Sequence, residues 1–183
     1  MQPALANSPA SVVITGASSG LGYALTQYYL AQGATVGAMA RRAELLHPLA
    51  EKFPGRVHCY PLDVRDAAAL HAAAQDFMKN VGAPDLVIAN AGISVGTLTN
   101  YAEDIPVFQE VLATNVLGMV NTFQPFLVAM REARRGKLVG IASVAGFRGL
   151  PGAGAYSASK AAAMVYLESL RVELRGSGIR VIT

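Results

Sequence analysis

The sequence predicts an α/β fold, in which a doubly wound parallel sheet is covered by helices on both faces. Short apolar runs of strand length alternate with longer segments of helical periodicity along nearly the whole chain, which is typical of repeated βαβ units. The runs Leu86–Ala89 and Leu138–Ala142 are apolar throughout, as expected of strands that are buried on both faces. A glycine-rich turn follows the first of the short runs and opens the first helix.

The length and composition indicate one globular domain. The chain has 183 residues, of which 52% are hydrophobic and 15% are charged, and this is enough to form a single buried core. We interpret residues 1–10 as a loose N-terminal tail and residues 11–183 as one domain. The single cysteine, Cys59, excludes an intrachain disulfide and is expected to be a small buried side chain of the third strand.

Charge and hydropathy argue against two classes of partner. The net charge of +3 is a small excess without an array of basic and aromatic residues, so we expect no nucleic-acid binding. We expect no membrane span either, because the most apolar stretch, Val111–Met130, is interrupted by threonine, asparagine and glutamine and fits a buried helix better. The first ten residues do not resemble a targeting signal, and we expect a cytoplasmic protein.

The first half of the chain contains three predicted strands, each followed by a helix. Ser11–Thr15 is rich in β-branched residues, and Gly33 is a suitable C′ residue for the helix that follows. Asp66 can cap an alanine-rich helix, which Gly82 and Pro84 bring to an end. The predicted elements are strand Ser11–Thr15, helix Gly20–Gln32, strand Ala34–Ala40, helix Arg42–Lys52, strand Val57–Leu62 and helix Ala67–Asn80.

The second half repeats this pattern with longer helices. Gly176–Gly178 interrupts the last helix before a final β-branched run. Parallel strands joined in this way require right-handed crossovers. The predicted elements are strand Asp85–Ala89, a loop around Ile93–Glu103, helix Ile105–Ala133, strand Gly136–Ser143, a glycine-rich loop Val144–Gly154, helix Ala155–Arg175 and strand Ile179–Thr183.

The glycine-rich turn has the features of a dinucleotide-binding turn. Its glycines are spaced G-x-x-x-G-x-G between a strand and a helix, within the first βαβ unit. Glycine lets the backbone approach a ligand closely, and the helix N-terminus offers free N–H groups to a diphosphate. We therefore predict a Rossmann-type fold, with cofactor-binding residues Thr15, Gly16, Ser18, Ser19, Gly20, Leu21 and Gly22.

The end of the second strand indicates the type of dinucleotide. A carboxylate about 20 residues beyond the turn would bind a ribose 2′-hydroxyl, but no acidic residue lies between Gly22 and Glu44. Arg41 and Arg42 stand there instead, and guanidinium groups suit a 2′-phosphate. We predict NADP(H) in preference to NAD(H). The alternative is that the two arginines merely begin a surface helix.

A tyrosine and a lysine at positions i and i+4 indicate proton-transfer chemistry. Tyr156 and Lys160 would share one face of a helix, where the ammonium favours the phenolate form of the tyrosine. Alone, this pair fits an ordinary amphipathic helix better. Ser143 and the Asn90–Gly92 turn should face the same crevice, because ligands bind beyond the carboxyl ends of parallel strands. Asn115, in an apolar helix, needs a partner for its amide.

Together these residues resemble the short-chain dehydrogenase/reductase family. The resemblance extends from about Ser11 to Thr183, in the family's order and spacing. It implies an oxidoreductase that moves a hydride between a nicotinamide and a carbonyl or secondary alcohol. The residues that carry it are Thr15-Gly16-x-x-x-Gly20-x-Gly22, Asp63-Val64, Asn90-Ala91-Gly92, Asn115, Ser143 and Tyr156-x-x-x-Lys160.

The resemblance also implies a role for each residue. Tyr156 would be the general acid for carbonyl reduction or the base for alcohol oxidation, and Ser143 would hold and polarise the substrate oxygen. Lys160 would bind the nicotinamide ribose and favour the phenolate of Tyr156. Asn115 would anchor a water in a proton relay through Lys160. The residues that contact the adenine or line the cofactor would be Asp63, Val64, Asn90, Ala91 and Gly92.

The sequence departs from the family's pattern at three points. Ala89 stands where the family often has an asparagine, and Ser19 stands where NADP-preferring members often have a basic residue. Family members also continue past the sixth strand with a Pro-Gly motif, a helical segment over the substrate and a seventh strand. We therefore expect the domain to be incomplete at Thr183, with an intact adenine half and an open, shallow substrate side.

Two other functions remain open at this point. One is a non-catalytic nucleotide-binding domain with a regulatory or structural role. The other is a sugar-nucleotide epimerase or dehydratase of the related extended family, although the glycine spacing counts against it. The expected substrate walls are Ile93–Thr99 and Val144–Ala155, where Phe147, Leu150 and Pro151 suggest an apolar pocket.

The remaining motifs carry less information. His47, His58 and His71 lack the spacing of metal ligands, so we expect no metal site. The resemblance implies a homodimer or homotetramer built on the two long helices, Ile105–Ala133 and Ala155–Arg175. A basic cluster lies at the end of the first of these helices, and we interpret it as cations that interact favourably with the helix C-terminus. The alternative is a docking patch for an acidic carrier protein. Its members are Arg131, Arg134, Arg135 and Lys137.

Overall fold

A parallel sheet forms the centre of the molecule. The computed structural model describes residues 9–183, so residues 1–8 of the expected tail lie outside the described part. Within it, the strands are β1 (Ser11–Thr15), β2 (Thr35–Ala40), β3 (Val57–Pro61), β4 (Leu86–Ala89), β5 (Gly136–Gly140) and β6 (Ile179–Ile182). They lie in the order β3-β2-β1-β4-β5-β6, and every neighbouring pair is parallel. The doubly wound α/β fold is confirmed.

The strand order reverses at the centre of the sheet. β1 pairs with β2 on one side and with β4 on the other, and Val13 lies opposite both Gly37 and Val87. Chain connections leave the two strands toward opposite faces at such a reversal, and a crevice opens at their carboxyl ends. Thr15 and Ala89 end β1 and β4 and therefore mark the edge of this crevice.

Helices cover both faces of the sheet. Among residues 9–183 they are α1 (Gly20–Ala31), α2 (His47–Lys52), α3 (Ala67–Val81), α4 (Ile105–Leu112), α5 (Gly118–Phe123), α6 (Leu127–Glu132) and α7 (Gly154–Glu173). As predicted, the Asp66 carboxylate caps α3 by accepting a hydrogen bond from the Ala69 N–H. Gly33 follows α1 with a φ of 93°, which suits its expected place after the helix.

The strands are apolar on both sides because the sheet separates two cores. Val13 and Val87 pack in the core under α3, α5 and α7, together with Phe123 and Leu167. Their neighbours in sequence face the other way. Val12, Ile14 and Val36 pack in the second core with side chains of α1 and α2. All of the strand residues named here are less than 1% exposed, which accounts for the continuous apolar runs.

The long helix predicted at Ile105–Ala133 is one continuous helical path with two irregular turns. A π-helical turn over Ala113–Leu117 separates α4 from α5, and a 3₁₀ turn over Gln124–Phe126 separates α5 from α6. Pro125 explains the second turn, because proline has no N–H to donate within an α-helix. Ala102–Glu132 is long and apolar enough to cross a membrane, and here it lies against the sheet with side chains such as Phe123 and Phe126 in the core.

Two expectations for the β2–β3 region were wrong in detail. The helix predicted over Arg42–Lys52 is a 3₁₀ turn followed by the short α2, which begins at His47 because Pro48 occupies its first turn. Cys59 is half-buried rather than fully buried, because β3 is an edge strand. The opposite edge strand, β6, buries Ile179 and Val181 under α7, whereas Ile182, on its other face, is 38% exposed.

Candidate active site

The glycine-rich turn is shaped by contacts that only glycine permits. Gly16 and Gly20 have φ values of 69° and 54°, in the left-handed region that disfavours other residues. Gly22 has an ordinary φ, but a Cβ there would collide with the Gly16 carbonyl oxygen and the Asn90 side chain. The first turn of α1 is therefore pressed against the end of β1, as a dinucleotide-binding turn requires.

Asn90 fastens this turn to the end of β4. Its Nδ2 donates to the Thr15 carbonyl oxygen at 3.0 Å, and its backbone N–H donates to Thr15 Oγ1 at 3.2 Å. The Ala91 N–H donates to the same hydroxyl at 3.3 Å. Thr15 is fully buried. Thr15 and Asn90 therefore join β1 to β4 at the reversal of strand order and form the floor of the crevice.

A cleft of about 300 Å³ lies above this floor and contains most of the predicted cofactor residues. Thr15, Gly20 and Gly22 shape the turn without lining the cleft. The predicted residues that do line it are Gly16, Ser18, Ser19, Leu21, Arg41, Arg42, Asp63, Val64, Asn90, Ala91 and Gly92. The lining residues that the sequence interpretation missed are Ala40, Leu62, Ile93 and Thr114. The structure thus brings the turn and the ends of β2, β3 and β4 together at one cleft.

Charged groups surround the end of the cleft at the carboxyl ends of β2 and β3, here called the outer end. Arg41 and Arg42 are both exposed there, and the Arg42 guanidinium donates to Ser19 Oγ at 3.0 Å. Asp63 is the acidic residue in the lining, and Arg65 binds both of its carboxylate oxygens, with the shortest contact at 2.6 Å. These hydrogen bonds hold the pKa of the Asp63 carboxyl below its usual value. Arg65 also contacts Glu110 at 3.0 Å, which ties this corner to α4.

The first two turns of α7 present the tyrosine and the lysine on one face. Lys160 Nζ lies 5.7 Å from the centre of the Tyr156 ring. The lysine is only 5% exposed and donates to the Ile141 carbonyl oxygen at 2.7 Å. Within residues 9–183 its ammonium has no carboxylate partner, and burial lowers its pKa. A Cβ on Gly92 would be 3.7 Å from Lys160 Nζ, so the ammonium lies close to the end of the cleft that Gly92 lines, here called the inner end.

Ser143 stands just beyond β5, two residues after the carbonyl that binds Lys160. Its Oγ accepts a hydrogen bond from the Ala145 N–H at 3.2 Å, and the side chain is half-buried. That bond leaves the hydroxyl proton of Ser143 free to donate to another group. The lysine, the serine and the half-buried Tyr156 therefore belong to one corner, where β5 meets the beginning of α7.

Asn115 joins the segment after β4 to α7 and does not line the cleft. Its Oδ1 accepts from the Ile93 N–H at 2.8 Å, and its Nδ2 donates to the Ile93 carbonyl oxygen and to Ser159 Oγ, each at 2.9 Å. The residue is 1% exposed. The expectation that its amide needs a partner is confirmed. Its place in the π-helical turn means that the helix bulges where this side chain turns inward.

The expected substrate walls meet, but their large apolar side chains do not enclose a pocket. Thr97 forms a parallel bridge with Ala153, and its N–H donates to the Gly152 carbonyl oxygen at 2.9 Å. Phe147 is 71% exposed and Leu150 is 49% exposed. The substrate side is therefore open in the described residues. A separate, more apolar cavity of about 300 Å³ lies beside the start of the long helix, between Leu98, Ile105 and Phe108.

Several buried or bridging polar residues of the site were missed in the sequence analysis. Ser159 bonds to Asn115, Arg65 to Asp63, and the Asn121 amide to the Val64 carbonyl oxygen at 3.0 Å. The signal was present for two of them, because a serine and an asparagine on the buried side of a helix need partners. Among residues 9–183 there is no group of His, Cys, Asp and Glu arranged to hold a metal ion.

Comparisons with known proteins agree with this geometry. The family model for short chain dehydrogenase matches residues 10–183. An uncharacterized oxidoreductase of Myxococcus xanthus is 43% identical over 176 residues, which are 93% of this chain and 68% of the relative. The 2-dehydro-3-deoxy-L-rhamnonate dehydrogenase (NAD(+)) of a Sphingomonas strain is 35% identical over 91% of this chain and 67% of its own length.

A solved structure has the same fold. Serine dehydrogenase in its closed form, complexed with NADP+, is 27% identical with a TM-score of 0.88, over 94% of this chain and 71% of that one. The chain spans about two thirds of the length of several relatives that it matches, and as little as 55% of the length of others.

Proposed function

Because the chain belongs to the short-chain dehydrogenase family of oxidoreductases, we propose that it transfers a hydride between a nicotinamide dinucleotide and a small carbonyl or secondary alcohol substrate. The observation that carries the proposal is the position of Lys160. Its ammonium lies beside the Tyr156 ring, is bonded to the segment that leads to Ser143, and lies close to the inner end of the cleft.

The cleft fits a dinucleotide. Glycine at positions 16 and 22 leaves the space that a Cβ would fill, and the N-terminus of α1 directs free N–H groups toward a diphosphate. The cations at the outer end lie where the adenosine half would be, and the polar corner of α7 lies at the other end. When bound, the nicotinamide supplies or accepts the hydride.

The residues of the inner corner then handle the substrate oxygen and its proton. Tyr156 donates its phenolic proton to the oxygen during carbonyl reduction and removes a proton during alcohol oxidation. The Ser143 hydroxyl donates a hydrogen bond to the same oxygen and so polarises it. The Lys160 charge is not neutralised by a described carboxylate, so it is available to stabilise the phenolate that Tyr156 leaves behind.

The test is turnover of a panel of aldehydes and ketones with NADPH and NADH, measured for the parent protein and for Tyr156→Phe. The variant keeps the ring but loses the acid, so kcat is expected to fall by about a hundredfold or more while cofactor binding survives. Tyr166→Phe, ten residues further along α7, is the matched control and is expected to retain parental kcat. Parental kcat in Tyr156→Phe would contradict the proposed role.

A non-catalytic nucleotide-binding domain is the second candidate, and the open substrate side favours it. Phe147 and Leu150 are exposed to solvent and do not cover the corner formed by Ser143, Tyr156 and Lys160. Hydride transfer benefits from exclusion of water, so this open side is less suited to catalysis. Tight binding of NADPH by the parent protein, combined with no turnover of any carbonyl in the panel, would support this candidate over the enzyme.

NADP(H) is the cofactor that we propose in preference to NAD(H). Arg41 and Arg42 line the outer cleft, and the one acidic lining residue, Asp63, is held by Arg65. The relatives include both kinds, since one structure contains NADP+ and one relative is named for NAD(+). The support for NADP(H) is therefore the local charge at the outer cleft.

Replacing Arg41 and Arg42 with alanine tests this preference. Each charged hydrogen bond lost to a 2′-phosphate costs about 1.5–3 kcal/mol, so the Kd for NADPH should rise at least tenfold while the Kd for NADH stays nearly constant. Arg131→Ala, an exposed arginine of α6, is the control and should alter neither Kd. Fluorescence titration gives both constants, and equal Kd values for the two cofactors in the parent protein would contradict the preference.

A further inference from the structure

Ser159 is a buried serine to which the sequence patterns and the proposed function assign no role. It lies in α7 between Tyr156 and Lys160 and is 0% exposed. Its hydroxyl donates to the Tyr156 carbonyl oxygen at 2.7 Å and accepts from Asn115 Nδ2 at 2.9 Å. One side chain thus touches the backbone of the proposed acid and the amide of the long helix.

The direction of every hydrogen bond in this group is fixed by its partners. The Ile93 N–H can only donate, so the atom that it meets on Asn115 must be the oxygen, and the Nδ2 atom must face Ser159. A serine hydroxyl has one proton, and the Tyr156 carbonyl oxygen can only accept, so that proton goes to the carbonyl. The Ser159 oxygen then accepts the hydrogen bond from Asn115 Nδ2, and no other assignment of donors and acceptors satisfies all the groups.

These bonds connect three separate elements. Ile93 belongs to the segment after β4 and lines the cleft, Asn115 belongs to the π-helical turn, and Tyr156 belongs to the first turn of α7. Without Ser159, the link between Asn115 and α7 would lose its only hydrogen bond among the described residues. Because Asn115 is almost fully buried, water would not easily replace it.

We propose that Ser159 is a positioning residue, which fixes the first turn of α7 against Asn115 and thereby sets where Tyr156 meets the substrate oxygen. This inference rests on the proposed function for its effect on catalysis, whereas the mechanical link from Ile93 to Tyr156 can be measured without turnover. Proton transfer depends steeply on the distance between donor and acceptor, so a small displacement of the phenol should slow it.

The kinetic test compares Ser159→Ala with the parent protein. We expect kcat to fall by about tenfold, the Kd for NADPH to stay within twofold, and the solvent deuterium isotope effect on kcat to increase because proton transfer becomes slower. Ser159→Thr keeps the hydroxyl and is expected to recover most of kcat and the parental isotope effect. Ser157→Ala removes another buried hydroxyl of α7, which bonds to Leu150 instead, and should leave the isotope effect unchanged.

Hydrogen–deuterium exchange tests the link itself, with or without turnover. Ser159→Ala should raise exchange both in the peptide that contains Ile93 and in the first turn of α7, whereas Ser157→Ala should leave the Ile93 peptide unchanged. If the parent protein reduces no carbonyl, the proposed function fails and this exchange pattern alone decides the link. Unchanged exchange at Ile93, or an active Ser159→Ala with parental kcat and isotope effect, would overturn the inference. Global unfolding of Ser159→Ala would also overturn it, by showing a role in the whole fold.

Discussion

At the scale of single residues, Lys160 shows how the proposed chemistry opposes stability. An ammonium is costly to bury without an opposite charge. The Lys160 side chain is nevertheless only 5% exposed, and within residues 9–183 its hydrogen-bond partner is the neutral Ile141 carbonyl. Burial lowers its pKa, which means that the folded state holds this proton less firmly than the unfolded chain does. The fold therefore loses stability at neutral pH in order to place a positive charge beside Tyr156.

Replacing Lys160 with methionine should therefore stabilise the protein while it abolishes turnover. At neutral pH we expect the free energy of unfolding to increase by about 1 kcal/mol. Between the lowered pKa of the folded state and the ordinary value of 10.5, the unfolded parent binds more protons than the folded parent, so parental stability rises with pH. The advantage of the variant should accordingly shrink as pH approaches 10.5.

Urea unfolding of the parent and of Lys160→Met, at several pH values from 7 to about 10.5, measures this difference. Lys79→Met, which changes an exposed lysine of α3, is the control and should give a small difference that does not vary with pH. A Lys160→Met variant that is less stable than the parent at pH 7 would contradict this account of the buried charge.

Single residues also show which parts of the site can be predicted from sequence. The shared position of Tyr156, Lys160 and Ser143 could be predicted, because the first two are four residues apart on a helix and the third follows a strand, whereas their catalytic roles stay predictions from the family resemblance. Ser159 and Arg65 could not, because their roles depend on Asn115 and Asp63 arriving beside them, and this is decided by the packing of helices and loops that are distant in sequence. Asn115 lies between these cases, since its need for a partner was predictable but the partner was not.

At the scale of elements, the junction of β1 with α1 leaves almost no free space. The beginning of the helix is held so close to the strand that Gly22 has no room for a side chain. This closeness lets backbone N–H groups of the turn reach a diphosphate. The junction was predictable from its glycines. The π-helical turn of the long helix was not, because apolar periodicity does not register one extra residue in a turn, whereas Pro125 is a sequence signal for the 3₁₀ turn.

Gly22→Ala should abolish tight NADPH binding. The added methyl group would push the Gly16 carbonyl and the Asn90 side chain out of place, so the turn and its link to β4 would both be distorted. We expect the Kd for NADPH to rise by at least about tenfold, with a loss of stability of about 1–3 kcal/mol from overpacking.

Gly149→Ala provides the matched comparison, since a Cβ there meets nothing within 4 Å and the residue is not among those with a positive φ. Fluorescence titration with NADPH and thermal unfolding of both variants give the two quantities. Parental NADPH affinity in a folded Gly22→Ala would show that the close approach of helix and strand is unnecessary for binding.

At the scale of the whole molecule, the sheet explains why the candidate site lies at one of its ends. All the strands are parallel, so their carboxyl ends collect the glycine-rich turn, Asn90 and Ser143 at one edge. Parallel βαβ units and right-handed crossovers were sufficient to predict this convergence from sequence. They were not sufficient to predict how far the substrate side is closed, because that depends on the conformation of the loop around Phe147.

Exposed aliphatic side chains lie on the outer surface of the long helices, where the family resemblance predicts contacts between copies of the chain. Val165 and Val172 lie seven residues apart on α7 and share a face. Leu117 and Val128 lie on the neighbouring helical path, on either side of its 3₁₀ turn. All four side chains are more than half exposed. Exposed aliphatic patches are typical of protein–protein interfaces, and the π-helical turn that contains Leu117 packs beside α7.

We therefore expect the parent protein to form a homodimer or homotetramer through these helices, and the double variant Val165→Glu/Val172→Glu to be a monomer. Two carboxylates on a shared apolar face would be buried without partners in the assembly, whereas in a monomer they remain in water and leave the fold intact. Light scattering after size-exclusion chromatography gives the mass of each species. Tyr28→Glu, on α1 at the other face of the sheet, is the control and should keep the parental mass. A monomeric parent at micromolar concentration, or a double variant with the parental mass, would show that the exposed valines serve another purpose.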